Sequence, residues 1–145
     1  LVIQLAEMMK QRNIKPELEI FDTNMVGAAV TLEQMGLLQP PLYFDFVMGG
    51  RNGQSADIRQ LGYLVSMLPA GSQWCASGIA ANQVNTMLMA IAAGGHVRVG
   101  LEDNLYLRRG VKATNVELVE RVVRIASEVN REIATPAEAR AMLGL

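Results

Sequence analysis

Arg98, Glu102 and Asp103 fall close together in the stretch HVRVGLEDN, residues 96–104. A guanidinium offers a fixed fork of donors for a carboxylate or an oxyanion, and adjacent carboxylates offer hard oxygen ligands or proton acceptors. Read as a strand, the stretch alternates. Arg98, Gly100 and Glu102 take one face, and Val99, Leu101 and Asp103 take the other. If the apolar residues pack on helices, Arg98 and Glu102 point the opposite way, with Glu102 nearest the end of the strand. An arginine held there is costly unless it is paired. Glu19 has a similar setting, because Glu17, Glu19 and Phe21 share the face opposite Leu18 and Ile20. Plainer readings compete. An Arg–Glu pair serves stability alone in many sheets, Asp103 and Asn104 are ordinary turn formers, and a solvated edge strand explains Glu19. One carboxylate is also an incomplete metal site, since catalytic zinc takes three protein ligands plus a water.

The remaining reactive residue types add little. His96 is the only histidine, at the start of its strand and away from the end where Glu102 sits. No Ser-His-Asp triad or His-rich metal site can be assembled around it, and a structural role is expected. Cys75 lies inside a strand between Trp74 and Ala76, where a buried, inert thiol is expected. Trp74 suits a pocket wall or the core. The GGRNG turn, residues 49–53, matches neither the dinucleotide fingerprint nor the P-loop, so a plain turn is favoured. The nine methionines are scattered through apolar stripes as core filler.

The elements that must position these residues alternate between short β-like runs and amphipathic helices. An opening helix is followed by a strand over residues 17–23, then a helix with Met25, Ala28, Ala29, Leu32 and Met35 at helical spacing and Gly36 just past its end. A second strand covers residues 41–49. The next helix is expected to start from Ser55 as N-cap, with Ile58, Leu61, Leu64, Val65 and Leu68 along one stripe. A third strand covers residues 72–78, and its helix stops at Gly94-Gly95. HVRVGLE forms the fourth strand. Two capping boxes, Thr114 with Glu117 and Thr135 with Glu138, open the last two helices. The first of these helices carries the stripe Val116, Val119, Val122, Val123, Ala126 and Val129.

Four βα units in succession argue for a parallel α/β sheet with right-handed crossovers. A doubly wound open sheet and half of an eight-stranded barrel of roughly 250 residues both fit. In either, functional groups gather at the carboxyl ends of strands, which here carry Asp22, Thr23 and Asn24, then Arg51, then Ser77, then Glu102 and Asp103. At 145 residues, half of them hydrophobic, the chain can bury one core. The net charge of -1 gives no basic excess for nucleic acid or a membrane surface. A single cysteine excludes a disulfide framework and suits a reducing compartment, so a cytoplasmic location is expected. No apolar run reaches bilayer length, and no signal-peptide pattern opens the chain. It starts instead on LVIQLAEMMKQRN, which reads as the interior of a helix, so residues upstream are expected.

Taken together, HVRVGLEDNLYLRRG, ATNVELVERVVRIA and the closing ATPAEARAMLGL resemble the C-terminal portion of the beta-keto acid cleavage enzymes. PELEIFDTNMV and PPLYFDFVMGG resemble that family's fifth and sixth strands. The resemblance runs along essentially the whole chain, and RVGLEDN is its most specific part. It implies a (β/α)8 TIM barrel of which residues 1–145 supply the last four βα units. It also implies a zinc ion (Zn2+) at the barrel mouth, a homotetramer, and a reaction of a β-keto acid with acetyl-CoA that gives acetoacetate and a new CoA ester. By the same resemblance Glu102 is a zinc ligand, Arg98 and Asp103 are catalytic, and Glu19 contacts the variable part of the keto acid. The family's other two zinc ligands form a His-x-His pair, which this sequence lacks. The chain is therefore expected to be the C-terminal half of a barrel and inactive alone. Two other readings are a non-catalytic half-barrel or open α/β module serving binding or assembly, and another metal-dependent barrel aldolase.

Overall fold

Apolar and polar residues alternate along the strands, and the alternation sorts the sheet into two unlike faces. The computed structural model describes residues 1–51 and 53–145. In chain order the elements are α1 (Val2–Gln11), β1 (Leu18–Ile20), α2 (Thr23–Gln34), β2 (Tyr43–Met48), α3 (Ile58–Ser66) and β3 (Gln73–Gly78). A 3-10 turn (Ala80–Asn82) leads into α4 (Gln83–Ala92), followed by β4 (His96–Val97), β5 (Tyr106–Arg108), β6 (Val111–Lys112), α5 (Asn115–Glu128) and α6 (Pro136–Leu143). Strands β1 to β4 form one parallel sheet in consecutive order. Doubly wound sheets reverse their strand order at a switch point, and no reversal occurs here. The consecutive order of these four parallel strands is consistent with a barrel segment.

The helix-facing side carries Ile20, Phe44, Phe46, Met48, Trp74 and Ala76, all buried in one cluster with Val26, Leu61, Leu64 and Ala90 from the helices. Phe46 and Trp74 meet with ring centroids 5.7 Å apart. Each large side chain buried there contributes roughly 1.5–3 kcal/mol. Trp74 is thus a core residue. The other side of the sheet is polar. The register aligns Glu19 with Asp45, Asp45 with Cys75, and Cys75 with His96. Arg98 continues that face two residues beyond His96.

Several local expectations hold. Both capping boxes are formed, with the Glu117 and Glu138 amides donating to Thr114 and Thr135 at 3.2 and 3.3 Å. Gly36 closes α2 with a φ of +70°. Others need correction. The N-cap of α3 is Asp57, not Ser55; its carboxylate accepts the Arg59 and Gln60 amides, while the Ser55 hydroxyl donates to Asp57. The fourth strand is paired only over His96–Val97, because the chain curls at Gly100, whose carbonyl accepts the Asp103 and Asn104 amides. The antiparallel β5–β6 hairpin beyond it was not expected. The α5 stripe is only partly covered. Val122 and Ala126 pack toward α4, but Val116, Val119, Val123 and Val129 are exposed. They lie past β4, where the sheet ends. Of the turn expected after β2, Asn52 lies outside the described residues. Among the described residues no helix is long and apolar enough to cross a membrane.

Candidate functional site

Arg98 reaches across the polar face of the sheet and is met by four carboxylates. Nη1 lies 2.7 Å from Glu19 Oε1 and 2.6 Å from Asp45 Oδ2. Nη2 lies 2.5 Å from Glu102 Oε2, and Nε lies 3.2 Å from Asp103 Oδ2. The partners come from β1, β2 and the turn after β4, so sheet register brings them together. The cluster is graded in exposure. Asp45 is 0% exposed, whereas the Glu102 side chain is 79% exposed at the outer rim.

The elements around the cluster hold it rigidly. The Arg98 amide donates to Ala76, which keeps the strand on course after its last paired residue. Buried Gln54 donates its amide to the Ile20 and Val47 carbonyls at 2.9 and 3.1 Å, joining the ends of β1 and β2 beside the site. The turn carrying Glu102 and Asp103 is tied at two points. The Asn115 side chain accepts the Leu101 amide, and the Asp103 carbonyl accepts the Ala80 amide. Gly78 is required for this arrangement. A Cβ there would lie 2.6 Å from the Asn82 carbonyl, so only glycine lets the chain turn directly from β3 into the helix beside the cluster.

Below Arg98 lies a hydrogen-bonded floor. The Cys75 thiol donates to Asp45 Oδ1 at 3.2 Å, and the Ser77 hydroxyl donates to the same atom at 3.5 Å. Burial pushes the Cys75 thiol well above its ordinary range, and the neighbouring Asp45 adds to this, so it remains a protonated donor. Burial likewise raises Glu17 and the Tyr43 phenol. Glu17, Asp45 and Cys75 each bring one ligand atom within 4.8 Å of the others, the spacing of a metal-ligand group. Asp45 is already committed to Arg98 and Cys75. We therefore read the group as support for Arg98. His96, at the far end of the face, hydrogen-bonds to Gln73 at 3.2 Å. Burial and nearby Arg131 lower its pKa, favouring the neutral ring.

Electrostatically the cluster is unbalanced, with four carboxylates on one guanidinium. Burial opposes the charge of Arg98, but its hydrogen bonds to Glu19 and Asp45 more than offset this and hold it firmly protonated. Asp103 bears the cost of the excess. Burial pushes it up to about 6, and repulsion from Glu102 and Asp45 adds to that against the pull of Arg98. Such a donor set suits an added cation at the exposed rim or a proton on Asp103.

The structure brings together all four residues singled out in the sequence: Glu19, Arg98, Glu102 and Asp103. Sequence reasoning missed Asp45, the most buried partner of Arg98. A signal was present, because an aspartate between Phe44 and Phe46 is out of character in a buried strand, and alternation places it on the face of Glu19 and Arg98.

Comparison with known proteins places this geometry in context. Residues 1–145 match the sequence profile of the beta-keto acid cleavage enzyme. The chain is 45% identical over 146 residues to the 3-keto-5-aminohexanoate cleavage enzyme of Acetoanaerobium sticklandii, covering all of this chain and 54% of that protein. It is 39% identical over 149 residues to the 3-oxoadipate:acetyl-CoA acetyltransferase of Cupriavidus necator, covering 100% of this chain and 52% of that protein. It is 35% identical over 142 residues to the 3-dehydrocarnitine:acetyl-CoA trimethylamine transferase of Rhizobium meliloti, covering 98% of this chain and 47% of that protein. The chain spans about half the length of the curated relatives it matches.

Proposed function

Because the chain belongs to the beta-keto acid cleavage enzyme family, we propose that it supplies one half of an active site that exchanges acyl groups between a β-keto acid and acetyl-CoA. The bond between C2 and the C3 carbonyl carbon of the keto acid breaks. A new bond joins C2 to the acetyl carbon, giving acetoacetate, and the thiol of CoA takes the acyl fragment left behind. The observation that carries this reading is the convergence of Arg98 with Glu19, Glu102 and Asp103 at the carboxyl ends of parallel strands.

Each side chain has work suited to its position. Arg98, whose side chain is 31% exposed, is placed to hold the substrate carboxylate or an oxyanion in exchange for one of its rim carboxylates. Asp103, raised to about 6 and hydrogen-bonded to Arg98, is the carboxyl suited to take a proton from substrate C2 near neutral pH. Glu19, half-exposed on β1, faces the part of the keto acid that varies between substrates.

A zinc ion fits the rim in one respect, because Glu102 is an exposed carboxylate in an electronegative cluster. Glu102 would be one ligand, with histidines from outside residues 1–145 as the others. Bound there, zinc would act as a Lewis acid on the keto oxygen. The same reading makes residues 1–145 the C-terminal half of a single closed (β/α)8 barrel in a cytoplasmic homotetramer. The outer edge of β4, unpaired among the described residues, and the exposed valines of α5 support the closure. The test is to incubate the full-length protein with acetyl-CoA and a panel of β-keto acids and assay for acetoacetate. No acetoacetate from any of them would refute the assignment.

A further inference from the structure

A cavity of about 830 Å3 opens beside the carboxylate cluster, between the start of α4 and the β5–β6 hairpin. Its walls include Gln83, Val84, Asn104, Tyr106, Arg108 and Arg109, and no carboxylate lines it. It adjoins the proposed catalytic site, because Asn104 follows Asp103 and the Ala80 amide at the cavity wall donates to the Asp103 carbonyl at 3.1 Å. The volume lies in the range of small-molecule sites.

Three features suit it to phosphate. Arg108 and Arg109 are exposed and make no salt bridge among the described residues. No side chain caps the N-terminus of α4, because Asn82 donates its amide to the Gly49 carbonyl at 3.3 Å instead. The positive end of a ten-residue helix is thus left beside the cavity. Gln83, only 5% exposed, lines the same wall, and its carboxamide has no hydrogen-bond partner among the described residues. A side-chain amide so placed can hydrogen-bond to a ligand in the cavity. Tyr106, half-exposed on the hairpin, adds a ring on which a base can stack.

We propose that this cavity receives the phosphorylated nucleotide end of coenzyme A, with Arg108 and Arg109 on its phosphates, Gln83 hydrogen-bonded to it and Tyr106 against the adenine. The thioester end then extends past Asn104 to Arg98. The choice of coenzyme A rests on the acetyl-CoA reading above, whereas the preference for a phosphorylated nucleotide rests on the cavity itself.

Two probes separate these layers. Adenosine 3′,5′-bisphosphate carries the nucleotide end alone, and acetyl-pantetheine carries the thioester alone. In the full-length protein, calorimetry should show saturable binding of the bisphosphate, tighter than that of inorganic phosphate. Arg108→Ala/Arg109→Ala should weaken it about tenfold or more, as expected for the loss of charge-assisted hydrogen bonds. Both arginines are exposed, so folding is not at risk. A second variant, Gln83→Glu, places a like charge against the phosphates and should weaken binding as well. In steady-state assays the double substitution should raise KM for acetyl-CoA far more than KM for acetyl-pantetheine. An unchanged bisphosphate affinity in the double variant, an equal affinity for inorganic phosphate, or an equal rise in both KM values overturns the proposal. Bisphosphate binding that responds to the substitutions, in a protein that turns over no keto acid, upholds the subsite and defeats the acetyl-CoA reading instead.

Discussion

Asp45 Oδ2 lies 2.6 Å from Nη1 of Arg98, and Asp45 is wholly buried while Arg98 reaches solvent. The pair therefore anchors the arginine from beneath, while its other nitrogens meet Glu102 and Asp103. The remaining oxygen of Asp45 is fixed by the Cys75 thiol and the Ser77 hydroxyl, so the anchor is held in turn.

Asp45→Asn keeps the shape and removes the charge. Arg98 would retain Glu19, Glu102 and Asp103, all better solvated, so the cost in stability is expected at about 1–3 kcal/mol rather than that of a fully orphaned buried ion. The cost in kcat should be larger than the cost in KM, because a loosened guanidinium loses geometry more than contact. Chemical denaturation and steady-state kinetics on the full-length protein measure both. An unchanged kcat would remove Asp45 from the positioning of Arg98.

Much of the site was legible because strand alternation has a period of two and needs few residues to show itself. Arg98, Glu102 and Glu19 followed from it. Asp45 did not, since its aromatic neighbours made the segment read as uniformly buried, and only knowledge of Arg98 opposite gives its carboxylate a purpose. The paired part of β4 was overestimated because alternation continues past Val97 while hydrogen bonding does not. The hairpin of β5 and β6 escaped notice because two strands of three and two residues leave no pattern to count. Gly110, with a φ of +76°, was the one local mark of its turn.

Glu102 and Arg98 should separate metal binding from turnover. Glu102→Gln, which exchanges an anionic oxygen for a neutral amide at the rim, should strip zinc from the full-length protein on dialysis. Arg98→Ala should keep the metal and lose turnover by about a hundredfold or more, the scale of a lost transition-state donor. Elemental analysis beside acetoacetate assays distinguishes the two, and normal turnover in both variants would sink the assignment of either role.

Asp103 makes a pH prediction whose sign can be worked out. Its folded pKa of about 6 exceeds its ordinary 3.8. Between those values the native state binds the proton more tightly than the unfolded chain. Its contribution to stability is thus full below 3.8 and is lost as pH rises through about 6. In metal-free full-length protein, Asp103→Asn should remove that falling component from the stability profile. Identical slopes in the variant and the parent would mean that Asp103 does not carry the raised proton affinity.

His96 predicts the opposite slope. Its folded pKa is lowered below 6.5, so the unfolded chain takes the proton first as pH falls through 6.5, and stability drops toward the folded value. The facing groups are Gln73, which shares its hydrogen bond, Tyr43, whose ring lies 6.5 Å away, and the Arg131 cation. His96→Gln should flatten the acid side of the denaturation profile without altering zinc content. A change in zinc content would assign His96 a ligand role that its position opposes.

The exposed valines of α5 test whether the sheet closes. If further strands and helices complete the barrel beyond β4, Val119 is covered in the full-length protein, although it is exposed on residues 1–145. Val119→Asp would then bury an unpaired charge there and cost about 3 kcal/mol or more. On residues 1–145 alone the same side chain is 51% exposed and a charge there stays hydrated, so the cost should be within about 0.5 kcal/mol. Thermal denaturation of both lengths measures the difference. Equal, small effects in the two would mean that nothing packs on this stripe, and closure of the barrel past β4 would have to be abandoned.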